Sequence, residues 1–196
     1  QDHTQGLTED YPTPRACVAD NDLALGRIVD AVSRTRFWPK TVIFAVEDDP
    51  QDGWDHVDGH RSTCIVASPY AKRGAVVSNF FSQTSVVHTI ERILGVRAQH
   101  QLYAMAPVMT ACFIGPGELP DISPFTFVPN RVPLDEMNPP KKAAGDLAPY
   151  YELTATLDFS RPDAADEDDF NRVHWHAAKG AGTPYPHAFA GAHAKG

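Results

Sequence analysis

The stretch TVIFAVEDDPQDGWDHVDGHR, residues 41–61, decides both the fold and the chemistry expected of this chain. Its first six residues, 41–46, have an apolar and β-branched bias that predicts a buried strand. Three acids follow directly, and the next residues add further aspartates and two histidines. In an open α/β sheet, ligands bind beyond the carboxyl ends of the strands, so a reaction centre is expected where this strand ends. Adjacent carboxylates are costly to hold unpaired at such a place, which indicates a divalent cation.

A solvated acidic loop would have much the same composition and is the alternative reading of this stretch. The positions of His56 and His60, shortly after the acids, favour the metal site. Imidazole together with carboxylate suits zinc, manganese or iron, whereas an all-oxygen set suits magnesium or calcium. The sequence therefore predicts a metal site and leaves the metal open.

Composition limits the class of protein. The 196 residues are 42% hydrophobic, which is ordinary for a globular chain with one sizeable core. The net charge of −8 argues against a nucleic-acid or anionic-membrane surface, because such a surface needs a basic patch. There is no apolar run of about 18 residues, so no membrane span is predicted. The three cysteines are widely spaced and indicate neither a CxxC-type zinc site nor a disulfide framework.

Hydrophobic periodicity and the positions of helix-capping and helix-breaking residues predict an α/β order of elements up to Gly95. An amphipathic helix is expected over 20–36, capped by its first three residues, and it leads into the strand at 41–46. A second apolar run at 64–68 predicts another strand. A helix capped by Thr84 or Ser85 follows and ends at Gly95.

The second half of the chain has weaker signals. Residues 99–113 predict one helical turn and a strand, and the proline-rich stretch 115–149 predicts an extended segment on the domain surface. Residues 150–158 predict a β-like edge. The acids of 163–169 predict the first turn of a helix, and 179–196 predicts a flexible tail.

Several segments, taken together and in order, resemble a known family. They are DHTQG (2–6), VADNDLALGRIVDAVS (18–33), FWPKTVIFAVEDDPQDGWDHVDGHR (37–61), SPYAKRGAVV (68–77), TSVVHTIERILGV (84–96) and LDFSRPDAADEDDFNRVHWHA (157–177). The family is the phosphoesterase family that includes phospholipase C-like and acid phosphatase-like enzymes, within the alkaline phosphatase superfamily, and the resemblance is to its C-terminal portion.

The resemblance implies a division of the chain and a fold. Residues 1–114 would be the C-terminal part of an alkaline-phosphatase-like phosphoesterase domain, an incomplete layered α/β sheet with flanking helices. Residues 115–178 would be an extended segment and a short helix packed on that domain, and 179–196 a flexible tail. The chain opens at Gln1 without a methionine, so we expect a piece of a longer protein whose N-terminal part is a partner of this one.

The resemblance also implies roles for individual residues. The implied metal ligands are Asp2, Asp48, Asp49 and His60. The implied catalytic residues are His3 and His56. Glu47 and Asp55 are expected to contact the metal ligands and catalytic residues without binding the metal themselves. No nucleophile is recognised in the chain, since the hydroxyls of Thr4, Thr84 and Ser85 are better explained as caps.

The implied activity is metal-dependent hydrolysis of a phosphate mono- or diester, with zinc, manganese or calcium as the cofactor. A non-catalytic metal-binding or interaction module, and an inactive truncated remnant, are the alternatives. Family members are commonly exported, so a periplasmic or secreted location is expected in preference to a cytoplasmic one. No nucleic acid is expected as a partner.

Overall fold

The computed structural model describes residues 4–47, 62–161 and 164–186. These residues form two compact units. The described parts of the first unit are 4–26, 128–161 and 164–186, and those of the second are 27–47 and 62–127. The described residues are a mixture of helices and one small antiparallel sheet, which is compatible with the α/β class expected from the sequence.

The helices are α1 (Pro14–Ser33), α2 (Gln83–Leu94), α3 (Gln101–Met105), α4 (Ala148–Thr154) and α5 (Glu167–Lys179). The strands are β1 (Ile43–Val46) and β2 (Cys64–Ala67), and short 3-10 helices lie at Trp38–Lys40, Thr110–Cys112, Lys141–Ala143 and Gly145–Leu147. None of the described helices is both long and apolar enough to cross a membrane.

Helix α1 begins six residues earlier than the sequence predicted. The hydroxyl oxygen of Thr13 accepts a hydrogen bond from the backbone nitrogen of Ala16 at 3.2 Å, so Thr13 does the capping. Pro14 occupies the first turn, where its missing N–H costs nothing. The prediction that residues 20–22 cap the helix is wrong, because they lie inside it. The helix ends at Ser33 and not at Arg36.

In the second unit, β1 and β2 pair in antiparallel fashion, with Ile43 opposite Ala67 and Val46 opposite Cys64. Both predicted strands exist, although each is shorter than expected. The prediction of a buried strand is wrong, since β1 is half-buried up to Ala45 and exposed at Val46. The carboxyl end of β1 therefore lies beside the amino end of β2, so these two strands do not end at the same edge of the sheet.

Helix α2 ends where the sequence predicted and begins two to three residues earlier. Gly95 has a φ of 67°, the left-handed conformation that commonly terminates a helix. The N-cap is Ser82 instead of Thr84 or Ser85, and the backbone nitrogen of Ser82 donates to the hydroxyl oxygen of Ser85 at 3.2 Å. Ser85 thus closes the first turn from its third position.

The predicted apolar face of α2 is only partly covered. Val86 is buried, whereas Ile93 is 52% exposed and Leu94 69% exposed. The expected helical turn within 99–113 is present as α3, but the expected strand is not found among the described residues. An isolated bridge between Ala71 and Phe113 takes its place.

In the first unit, the predicted β-like edge at 150–158 is wrong, because this stretch contains most of α4. Proline in its first turn starts the helix, and the side chains of Tyr151 and Thr154 turn inward. Tyr151 shares a core with Leu7 and with Val173 of α5. The stretch is short enough to form either a helix or a strand. It forms a helix because one side of that helix packs on α5.

Helix α5 begins in the acidic run as predicted. Asp166 is its cap and accepts a hydrogen bond from the backbone nitrogen of Asp169 at 3.1 Å, and the three residues of the first turn are acidic. Further along, Phe170 and Val173 are buried. The division of the chain at 1–114, 115–178 and 179–196 stays a prediction.

Candidate functional site

The acidic stretch, residues 47–61, is flanked by one hydrogen-bonded pair of backbone groups. The backbone nitrogen of Glu47 donates to the carbonyl oxygen of Thr63 at 3.0 Å, one position beyond the last pair of the strands. The backbone nitrogen of Thr63 in turn lies 3.4 Å from Oε2 of Glu47. The backbones of Glu47 and Thr63 are therefore hydrogen-bonded neighbours. Between these two residues lies most of the predicted metal-binding sequence.

The start of helix α2 lies beside this pair. Nε2 of Gln83, the first residue of α2, donates to the carbonyl oxygen of Glu47 at 3.3 Å. The amino end of a helix carries a partial positive charge that favours a nearby anion such as a phosphate group. Sequence reasoning missed Gln83. The signal that would have found it is the pair Ser82 and Ser85, whose spacing marks the start of the helix.

Among the predicted site residues, the structure describes only Glu47, which is exposed. The others lie outside the described residues, and they are Asp2, His3, Asp48, Asp49, Asp55, His56 and His60. Their mutual arrangement and their roles stay predictions. Within the described ranges, no group of three His, Cys, Asp or Glu side chains could hold a metal ion.

The hydroxyls that were considered as nucleophiles have structural contacts. Ser85 is fully buried, and Thr84 Oγ1 lies 2.7 Å from Ser82 Oγ in the same helix start. Thr4 Oγ1 accepts a hydrogen bond from the backbone nitrogen of Gly6 at 3.2 Å. These are the contacts of cap and turn residues.

Comparison with known families gives a match over the first half of the chain. Residues 5–97 match the sequence model of the Phosphoesterase family. This segment is a phosphoesterase-family sequence. The resemblance to the phospholipase C-like and acid phosphatase-like family is thereby confirmed over that range. A comparison with curated proteins finds no match to the chain.

Two of the three cysteines, Cys17 and Cys64, lie within the phosphoesterase segment, and Cys112 lies beyond it. Burial raises the pKa of each of these thiols. A thiol with a raised pKa is largely protonated at neutral pH and is a poor nucleophile. None of the three cysteines therefore has the lowered pKa that activates a thiol as a nucleophile.

The start of the phosphoesterase segment is held by residues that lie outside it. Gly6 has a φ of 56°, and a Cβ at this position would lie 2.8 Å from Cγ1 of Val173. Nδ2 of Asn138 donates to the carbonyl oxygens of Gly6, at 3.0 Å, and Thr8, at 2.9 Å. The C-terminal region thus fixes the backbone that directly follows Asp2 and His3 in the sequence.

Two histidines of α5, beyond the phosphoesterase segment, are packing residues. Burial lowers the pKa of His174 to about 4, and its ring lies 4.4 Å from the ring of Phe170. The ring of His176 stacks on Tyr150 at 4.0 Å, and its Nδ1 lies 3.3 Å from the carbonyl oxygen of Gly180. Aromatic contacts of this kind belong to the core of the first unit.

Proposed function

We propose that this chain contributes a metal-binding segment, residues 47–61, of a phosphoric ester hydrolase. The observation that carries the proposal is the match of residues 5–97 to the Phosphoesterase family, because this range contains the whole acidic stretch. The backbone pair between Glu47 and Thr63 supports it, since a paired base is a suitable frame for a loop that carries ligands. The larger layered sheet expected from the resemblance is part of this proposal.

The proposed ligands in this segment are Asp48, Asp49 and His60, with Asp2 contributed by the N-terminal stretch. Carboxylate and imidazole donors suit zinc and manganese, and calcium remains an alternative because three of the four donors are carboxylates. When bound, a divalent ion supplies Lewis-acid polarisation of the phosphoryl group and lowers the pKa of a coordinated hydroxyl.

The chain's own residues have further parts in this proposal. The start of α2, held against the carbonyl oxygen of Glu47 by Gln83, would favour the negative charge of a phosphate ester. His3 and His56 are the candidates to accept or donate a proton, and Glu47 and Asp55 the candidates to orient them.

The proposed location is the periplasm or the exterior of the cell, with the cytoplasm as the alternative. It follows from the expectation that similar enzymes are exported. Separating cell fractions and locating the protein with an antibody would decide between the two.

The test is turnover of p-nitrophenyl phosphate and bis(p-nitrophenyl) phosphate by the purified chain, with zinc, manganese or calcium added in turn. Because no nucleophile is recognised in the chain, we expect metal binding without turnover. Turnover that requires metal and vanishes in the Asp48→Ala, Asp49→Ala double variant would instead place the attacking group within the chain. The matched control is Asp135→Ala, Asp146→Ala, which removes the same charge from exposed positions outside the phosphoesterase segment.

The melting temperature, measured in parallel, separates the remaining cases. Metal that raises the melting temperature of the parent and the control, but not of the Asp48, Asp49 variant, without any turnover, supports a metal-binding half-site that lacks its nucleophile. Identical behaviour of all three proteins with every metal would disprove the proposal and leave an inactive remnant.

A further inference from the structure

The second unit contains a cavity of about 540 Å³ at the end of the strand pair opposite to Glu47 and Thr63. Thr41 and Val42, which precede β1, and Ser68, which follows β2, line it on one side. Arg92 and Ile93 of α2 line it on another side. A cavity of this size lies within the range of small-molecule binding sites in proteins.

The walls of the cavity are largely apolar. The apolar side chains that line it are Val42, Ile93, Val108 and Phe113. Phe113 also packs against Phe44 of β1, with ring centroids 6.3 Å apart, so this wall is anchored to the sheet. Binding an apolar ligand body against this lining would remove apolar surface from water, which favours binding by about 25 cal/mol per Å² of buried apolar surface.

The buried hydroxyls of the lining are already satisfied by the protein. Ser68 Oγ donates to the carbonyl oxygen of Thr41 at 2.8 Å. Thr89 Oγ1 donates to the carbonyl oxygen of Ser85 at 2.7 Å and accepts from the backbone nitrogen of Met109 at 3.0 Å. Polar recognition of a ligand is therefore left to the charged residues of the lining and to the exposed hydroxyl of Thr110.

Those charged residues are Lys40 and Arg92, and both are exposed cations. Neither forms an ion pair with a carboxylate of any residue that the structure describes. Two such cations at one apolar cavity, in a chain whose net charge is −8, are complementary to a ligand that is apolar with a negative end.

We propose that this cavity binds a small amphiphile with an apolar body and an anionic head group, the body against Val108 and Phe113 and the head group at Lys40 and Arg92. The inference is independent of the proposed ester hydrolysis, because every residue it uses lies outside the acidic stretch. The head group is defined by its charge, which carboxylates and sulfonates share.

The probe is decanoate, titrated into the full-length chain in a calorimeter at concentrations at which it does not form micelles. We expect saturable binding at one site. Acetate, which has the head group alone, and decyltrimethylammonium, which has the opposite charge on the same chain, are expected to bind at least about tenfold more weakly, a difference of about 1.4 kcal/mol. Decanesulfonate is expected to bind like decanoate.

Substitutions distinguish a loss of binding caused by the missing charge from one caused by unfolding. Lys40→Gln, Arg92→Gln is expected to weaken decanoate binding by about tenfold or more with little change in melting temperature, because both side chains are exposed. Ile93→Asp places a negative charge on the wall at a half-exposed position and is expected to weaken it similarly. Arg131→Gln, Lys142→Gln removes two exposed cations elsewhere and is expected to leave the affinity unchanged.

Three results would overturn the inference. The first is equal affinity for decanoate and decyltrimethylammonium, and the second is unchanged decanoate affinity in the Lys40, Arg92 variant. The third is self-association of the chain that Ile93→Asp abolishes, since a second copy would then be the occupant of the cavity.

Discussion

Asn138 donates its side-chain amide to the carbonyl oxygen of Gly6 at 3.0 Å, across 132 positions of the sequence. The same amide donates to the carbonyl oxygen of Thr8, and Asn138 is only 2% exposed. A region outside the phosphoesterase segment therefore holds the first residues of that segment in place. The stability of the first unit is expected to depend on this one side chain.

Asn138→Ala is expected to lower the free energy of unfolding by about 2 kcal/mol, because the buried carbonyl oxygen of Gly6 and the partly buried one of Thr8 lose their donor. Urea unfolding followed by circular dichroism measures this. Asn130→Ala is the matched control, since Asn130 makes one such bond, to the carbonyl oxygen of Ala19, at a less buried position. An equal loss in both variants would show that Asn138 has no special role.

Gly6→Ala is expected to cost on the order of 3 kcal/mol. The left-handed backbone accounts for about 1–2 kcal/mol of this, and the remainder comes from the close approach of the new Cβ to Val173. Gly95→Ala is the control, because Gly95 has a similar φ of 67° and an added Cβ there would meet no described atom within 4 Å. Thermal unfolding that gives Gly95→Ala the larger cost would contradict the packing of Gly6 on α5.

The burial of His174 predicts a dependence of stability on pH. The unfolded chain binds a proton at this residue near pH 6.5, and the folded chain binds it only near pH 4. Stability is therefore expected to fall as the pH decreases through this interval, by on the order of 2–3 kcal/mol for this residue. His174→Gln should flatten the pH profile of unfolding between 7 and 4, and His100→Gln at an exposed position should not. Identical profiles for both variants would rule out a lowered pKa for the partly buried His174.

Arg73 links residues 121–125 to the rest of the second unit. Its guanidinium pairs with the Asp121 carboxylate at 3.0 Å, donates to the carbonyl oxygens of Asp121 and Ser123, and lies over the Phe125 ring. Arg73→Met is expected to cost about 1–2 kcal/mol in urea unfolding, since it keeps the apolar stem and removes these bonds.

The control for Arg73 is Arg97→Met, at an exposed position. Its effect on the free energy of unfolding is expected to stay within about 0.5 kcal/mol. If Arg73→Met also stays within that range, the contacts of Arg73 do not stabilise the unit.

The proposed metal site makes a separate prediction. His60→Ala is expected to weaken the affinity for zinc or manganese by at least about tenfold in calorimetric titrations, because the ion loses one ligand. His100→Ala should leave the affinity unchanged. Removal of the metal with a chelator should lower the melting temperature of the parent by more than that of His60→Ala. A chelator that changes neither protein would exclude this ligand set.

The sequence by itself determined the features that depend on local chemistry. Gly95 ends α2 because glycine adopts the left-handed conformation at little cost, and the acids before Phe170 begin α5 because carboxylates satisfy the free N–H groups of a first turn. The family was also evident from short motifs in a fixed order, of which those within 5–97 are confirmed.

Only the tertiary structure decided the features that depend on partners far along the chain. Thr13 begins α1 while it also bonds Glu136, 123 positions away. The burial of Tyr151 against Val173 makes residues 148–154 a helix, although a β-like edge was predicted over 150–158. Local preferences there are weak, because a short apolar stretch fits either element until its neighbours are known. The antiparallel pairing of β1 with β2 likewise follows from contacts between strands, which no periodicity within one strand specifies.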